Sequence, residues 1–208
     1  MRRAGRSREV PSMDDERLMP RMRRVMRVTS GALTWLAGLI LVSAFVSFAH
    51  AADDPCSAYK WDVTEERAVF AQKAQSATAG RDASSALAMK TKTLYNLALA
   101  PQVSVKFVVP PGKKALPDGA FAGVVHFRVP SSGAYRVSLN QGFWVDVVSH
   151  QQLIEATDFT GAHDCSAPRK IVQYSLPAGE DLVLQLSGAV KDHVLIAVTP
   201  AAAAAPGH

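Results

Sequence analysis

Residues 123–148 read GVVHFRVPSSGAYRVSLNQGFWVDVV, and the fold class is legible in them. Val125, Phe127 and Val129 alternate with His126 and Arg128. After Pro130-Ser131-Ser132-Gly133, Tyr135, Val137 and Leu139 alternate with Arg136 and Ser138. After Asn140-Gln141-Gly142, Phe143, Val145 and Val147 alternate with Trp144, Asp146 and Val148. A period of two places each set on one face of a strand. Pro and Gly between the runs are turn chemistry: Pro presets φ, and Gly takes conformations that a Cβ forbids. Three strands joined by short turns, each with an apolar face, must bury that face against a second layer.

The same texture continues on both sides. Strand-length runs recur at Lys92–Ala100, Val103–Val109, Gln152–Thr157, Lys170–Leu176, Leu182–Ser187 and His193–Thr199. Pro110-Pro111-Gly112, Pro177-Ala178-Gly179 and Pro200 punctuate them. Short strands with closely spaced turn signals predict an all-β domain over residues 92–200: an antiparallel β-sandwich of jelly-roll or Ig-like type, with one face of each sheet in water. Upstream, WDVTEERAVFAQ (61–72) predicts a short helix with Thr64 as its cap. Residues 52–60 read as an exposed lead-in. Residues 73–91, rich in Ala, Ser, Lys and Gln, read as a connection, so 52–91 is expected to be a partly helical N-terminal segment. AAAAAPGH (201–208) reads as a disordered tail.

The formal charge of +5 misleads, because residues 1–29 hold nine Arg. An apolar run, GALTWLAGLILVSAFVSF (31–48), follows, and Ala49-His50-Ala51 then sets small residues where a signal peptidase reads. Basic, apolar and small-residue segments in that order predict a secretory signal over 1–51, with an uncut anchor as the alternative. Beyond Ala51 the chain carries 14 basic and 14 acidic residues. A neutral product has no long-range field for phosphates, which argues against a nucleic-acid partner. Membrane contact is expected only through the signal before cleavage. Export to the periplasm or beyond means an oxidising compartment, so Cys56 and Cys165, the only two cysteines, predict a disulfide.

Two phrases carry a resemblance. One is Phe127-x-Val129-Pro130-x-x-Gly133-x-Tyr135-x-Val137. The other is Tyr174-x-Leu176-Pro177-Ala178-Gly179, followed by a strand ending in Leu186-Ser187-Gly188 and a last strand before Thr199-Pro200. Over about residues 120–200 this resembles the secreted bacterial β-sandwich modules of the pre-peptidase C-terminal type, which implies the sandwich fold. With Cys56, Trp61-Asp62-Val63 and His163-Asp164-Cys165-x-x-Pro168-x-Lys170, the chain is also similar to a family of small exported proteobacterial proteins. Its members often carry the label homogentisate 1,2-dioxygenase, and that label implies a metal-dependent oxygenase. Nothing in the chain matches the His/Glu/His iron motif of that enzyme.

The chemistry-bearing residues sort as follows. A 2-His-1-carboxylate site needs three ligands converging on one face. His126, His163 and Asp164 are the candidate set, with His150 and Asp146 as a further pair, but their spacings follow no metal motif. Asp146, Asp158 and Asp164 lack the repeat that a calcium site would use. Neither G-x-S-x-G nor a Gly-rich phosphate loop occurs, and no paired carboxylates sit at strand ends with a matching aromatic platform, so no catalytic set and no cofactor are expected. Trp144 beside Asp146, with Trp61, could form a ligand surface of the kind a carbohydrate-binding module uses, as could Tyr59, Phe143, Phe159 and Tyr174. The expectation is an exported, non-catalytic binding or envelope-accessory protein whose partner is a glycan or an envelope protein, with dioxygenase and carbohydrate-binding module as alternatives.

Overall fold

The computed structural model describes residues 54–114 and 116–201; the expected signal at 1–51 and the tail from residue 202 onward lie outside the described residues. In chain order the elements are helix α1 (Thr64–Phe70), β1 (Gln75–Thr78), β2 (Leu87–Met89), β3 (Tyr95–Ala98), β4 (Ala100–Pro101), β5 (Phe121–Phe127), β6 (Gly133–Leu139), β7 (Trp144–Ser149), β8 (Gln152–Ile154), β9 (Ala156–Gly161), β10 (Lys170–Leu176), β11 (Leu182–Ala189) and β12 (His193–Pro200). They form a two-sheet sandwich. One sheet runs β1-β3-β12-β6-β10-β9. The other runs β2-β5-β11-β7-β8, with β4 also paired to β5.

The alternation read from residues 123–148 does what it predicts. Val125 and Phe127 on β5, Val137 and Leu139 on β6, and Val145 and Val147 on β7 all face the shared core, joined by Tyr174, Leu184, Leu186 and Ile196. Each fully buried side chain of this size contributes about 1.5–3 kcal/mol. The sheets are mixed, not purely antiparallel: β1 runs parallel to β3, and β2 parallel to β5. Both strands come from the segment read as a connection (73–91). They escaped notice because QSAT and LAM are short and lack an apolar alternation.

Neither outer face is simply wet. The predicted strand Val103–Val109 is a 3-10 turn (Gln102–Ser104) followed by an irregular stretch. Val105, Phe107, Val108 and Val109 pack over Val124, Val148 and Val183 on the outside of the second sheet. The Gln185 side chain stands in for a neighbouring strand there: its Oε1 accepts from Val108 N (2.6 Å) and Val109 N (3.2 Å), and its Nε2 donates to Val109 O (3.1 Å). Outside the first sheet, α1 packs Val69 against Leu94 and Ala197. Thr64 does not cap it. The Asp62 carboxylate accepts from Thr64 N (2.9 Å) and Thr64 Oγ1 (2.6 Å), and the cap position is Val63. Glu66 is buried beneath the helix, where its Oε1 accepts from Arg136 Nη1 (3.2 Å) and Thr199 Oγ1 (3.1 Å). The predicted Cys56–Cys165 disulfide is present and ties the N-terminal segment to the β9–β10 loop. Among the described residues no helix is long and apolar enough to cross a membrane.

Candidate functional site

The site begins with a strand that stops early. His150 (φ 49°) and Gln151 (φ 60°) form the two-residue turn between β7 and β8, and positive φ at both positions is the type I′ geometry that suits a tight hairpin. Ser149 then pairs with Gln152 and Val147 with Ile154, after which the chain leaves through Glu155 for β9 in the other sheet. The run Gln152–Thr157, read as one strand, is therefore two strands in two sheets. β7 upstream of Val147 has no β8 partner, and the inner face of β9 and β10 has no cover there.

Phe159 shows the consequence. It pairs with Val172, and directly paired residues share a face, so it points to the core side. It is nevertheless 64% exposed. The uncovered interior is a cleft of about 430 Å³. Its walls are Val145, Leu153, Ile154, Ala156, Phe159 and Val172, with Trp144, Asp146, Glu155, Lys170, Tyr174 and Gly112 completing the lining.

Carbonyls on the free side of β7 are met from the opposite sheet. In an antiparallel hairpin alternate residues direct both backbone polar groups to the same neighbour, so Val145 and Phe143 follow Ser149 and Val147 in facing the β8 side. No β8 residue reaches them. Tyr174 OH donates to Val145 O at 2.9 Å, and Lys170 Nζ donates to Phe143 O at 2.6 Å. Both donors come from β10, in the same alternation phase as Val172.

Asp146 and Trp144 act as a unit. Trp144 Nε1 donates to Asp146 Oδ1 (2.9 Å), and Gly112 N donates to Asp146 Oδ2 (3.1 Å). Burial pushes the Asp146 carboxyl above its ordinary value, while those two hydrogen bonds pull the other way. Lys170 Nζ lies 5.6 Å from the centroid of the Trp144 ring. Burial, and then repulsion from Lys113, hold the Lys170 amine below its ordinary value. Burial, and then the nearby Asp146 charge, raise the Tyr174 phenol.

A second recess, of about 300 Å³, adjoins the cleft through the shared residues Phe159 and Lys170. It adds Gly142, Thr160, Gly161, Ala162, His163 and Arg169. Arg169 Nη2 sits 3.2 Å from His163 Nδ1.

The structure brings Trp144 and Asp146 together and leaves Trp61 elsewhere. Trp61 stacks on Arg136, with the guanidinium 4.6 Å from the ring centroid, and does not line the cleft. Phe143 and Tyr174 lie in the core and Phe159 at the cleft mouth. His126, on β5, contacts Ala83 O through Nε2 (2.8 Å) and lies 3.1 Å from Asp181 Oδ2 through Nδ1, without hydrogen-bond geometry at the latter. His163 and Asp164 follow β9 in the other sheet, and His150 sits in the β7–β8 turn. Among the described residues no group of three or more His, Cys, Asp or Glu side chains is placed to hold a metal. Sequence reasoning missed Lys170 as a site residue. Its signal was available: in KIVQYSL, Lys170 shares the core phase with Val172, Tyr174 and Leu176, an unusual place for an amine.

Compared with known proteins, the chain matches no family model and no curated protein sequence.

Proposed function

We propose that this is an exported β-sandwich binding protein that takes a small, largely apolar ligand in the cleft between β7–β8 and β9–β10. The carrying observation is the exposed hydrocarbon at the mouth. Among the described residues four large hydrophobic side chains are exposed, and two of them, Leu153 (40%) and Phe159 (64%), line this one cleft. Apolar surface concentrated at a concave site of this volume is the usual mark of a ligand pocket. The polar groups favour binding over catalysis. Both Asp146 oxygens, the Trp144 N–H and the Tyr174 hydroxyl are engaged within the protein, so none stands ready as nucleophile or base. The same engagement takes up the Trp144–Asp146 pair that a carbohydrate-binding module would use, and so ranks that reading second. A dioxygenase built on His126, His163 and Asp164 has no converging ligand set behind it.

The Arg-rich leader, the neutral mature charge and the Cys56–Cys165 bond support a periplasmic or secreted location and an accessory role in the envelope. The strand phrases at 127–137 and 174–188 support kinship with pre-peptidase C-terminal-type and jelly-roll or Ig-like sandwiches. The test is a neutral apolar dye, Nile red, titrated into the mature protein. Saturable one-to-one binding is expected. Ala156→Phe, which fills the cleft from an exposed position, should weaken it about tenfold or more without changing the melt. Binding that ignores Ala156→Phe would sink the assignment. Glycan-array binding lost on Trp144→Ala would favour the carbohydrate reading.

A further inference from the structure

The apolar cleft does not end in hydrocarbon. Lys170 pairs with Gly161 and Tyr174 with Ala156, so β9 and β10 run side by side from a Tyr174 end to a Lys170 end. At the Lys170 end the adjoining recess holds Arg169 and His163 and is lined by no acidic residue. Neither Lys170 nor Arg169 has a carboxylate within 4.0 Å among the described residues. The acidic residues of the cleft are placed or engaged elsewhere. Glu155 precedes β9 at its opposite end, about 20 Å from Gly161 at strand spacing. Asp146 spends both oxygens on Trp144 and Gly112. The recess is also held in shape, because Cys165 of its loop is bonded to Cys56, and Lys60 N donates to Thr160 Oγ1 (3.2 Å) beside it.

Resting on the cleft reading above, we propose that the ligand is an amphipathic anion. Its apolar body lies along Val172, Phe159 and Ile154, and its carboxylate or similar head sits over Lys170 and Arg169. The physical reason is complementarity at both ends. The hydrocarbon removes exposed Phe159 and Leu153 from water, and the head supplies the direct ion pair that two cations at one end of an apolar trough lack, Asp146 acting on Lys170 only from beyond contact. Lys170 Nζ gives one donor to Phe143 O and keeps two, and Arg169 keeps most of its fork. A cationic or neutral amphiphile would leave those donors without a directly bonded anion.

Three ten-carbon probes of matched length separate the possibilities: decanoate, decanol and decyltrimethylammonium, titrated by calorimetry into the mature, disulfide-intact protein. Decanoate is expected to bind about tenfold tighter than decanol, with the ammonium weakest. Arg169→Gln, at a half-buried side chain, and His163→Gln, at an exposed one, should lower decanoate affinity and leave decanol affinity unchanged. Equal binding of decanoate and decanol, or a decanoate affinity indifferent to both variants, would overturn the anion inference and leave the cleft reading standing. Failure of all three probes, together with failure of Nile red, would remove both.

Discussion

The Tyr174 hydroxyl crosses from one sheet to the other and donates to the carbonyl of Val145 at 2.9 Å. It occupies the place that a β8 residue would take if β8 extended past Ile154. Tyr174→Phe should therefore leave a buried acceptor without a partner and cost about 1–3 kcal/mol, read as a lowered urea midpoint at unchanged slope. An unchanged midpoint would mean that the carbonyl is satisfied some other way.

The same phenol predicts an alkaline limit. Burial raises it above its ordinary value of 10.0, so the folded state holds the proton more tightly than the unfolded state does. The associated stability is complete below the unfolded value and is lost as pH rises from there toward the folded value. Wild type should lose stability in that alkaline window by more than Tyr174→Phe does. Parallel alkaline denaturation profiles for the two proteins would contradict this.

Asp146 predicts a trend at the acid end. Its folded value is raised above 3.8 by burial, so ionisation is harder in the folded protein than in the unfolded chain. Its contribution is full below the unfolded value and declines as pH rises through the folded one. Asp62 and Asp82 act in the opposite sense: hydrogen bonds from Thr64 and from Ser84 and Ser85 hold them low. The informative measurement is thus the difference between wild type and Asp146→Asn. The asparagine variant should gain relative stability as pH rises from the acid side, and a difference independent of pH would refute the assignment.

Beneath α1, Arg136 and Glu66 are 6% and 1% exposed at their side chains and 3.2 Å apart. Arg136→Met should cost about 3–5 kcal/mol, because it strands a buried carboxylate. Arg136→Met combined with Glu66→Leu should recover much of that loss. A double-mutant cycle that came out additive would show that the two groups are not coupled.

Reduction tests the staple. The Cys56–Cys165 bond closes a separation of 109 residues, worth at most about 4–5 kcal/mol on the chain-entropy account. The double alanine variant should melt earlier, and it should bind decanoate more weakly than decanol binding alone would explain, because His163 and Arg169 flank the released loop. Wild-type melting in the variant would contradict the first expectation.

Much of the fold could be read directly. KIVQYSL became β10 without adjustment, and the runs around residues 125, 137, 147, 184 and 196 became core strands within a residue or two. Val103–Val109 misled because five apolar residues spaced like a strand can equally well lie flat on a sheet, given a side chain such as Gln185 to meet their backbone. Of the site, the Trp144–Asp146 pair was visible as an i, i+2 neighbourhood on one strand. Its company was not: Trp61 stacks on Arg136, whereas Phe159, Lys170 and Tyr174 arrive from later strands that pair in the other sheet.

The amino-acid order alone determined which residues of the alternating strands face the shared core, because strand periodicity is a local property carried by each residue's neighbours. It also determined that the two cysteines had only each other. Where the interior stays open was decided in three dimensions. β8 ends at Ile154 because the chain there crosses to the other sheet, and that crossing leaves Val145 and Phe143 to find donors on β10. Pairing between distant segments makes the cleft, and no window of sequence contains both of its walls.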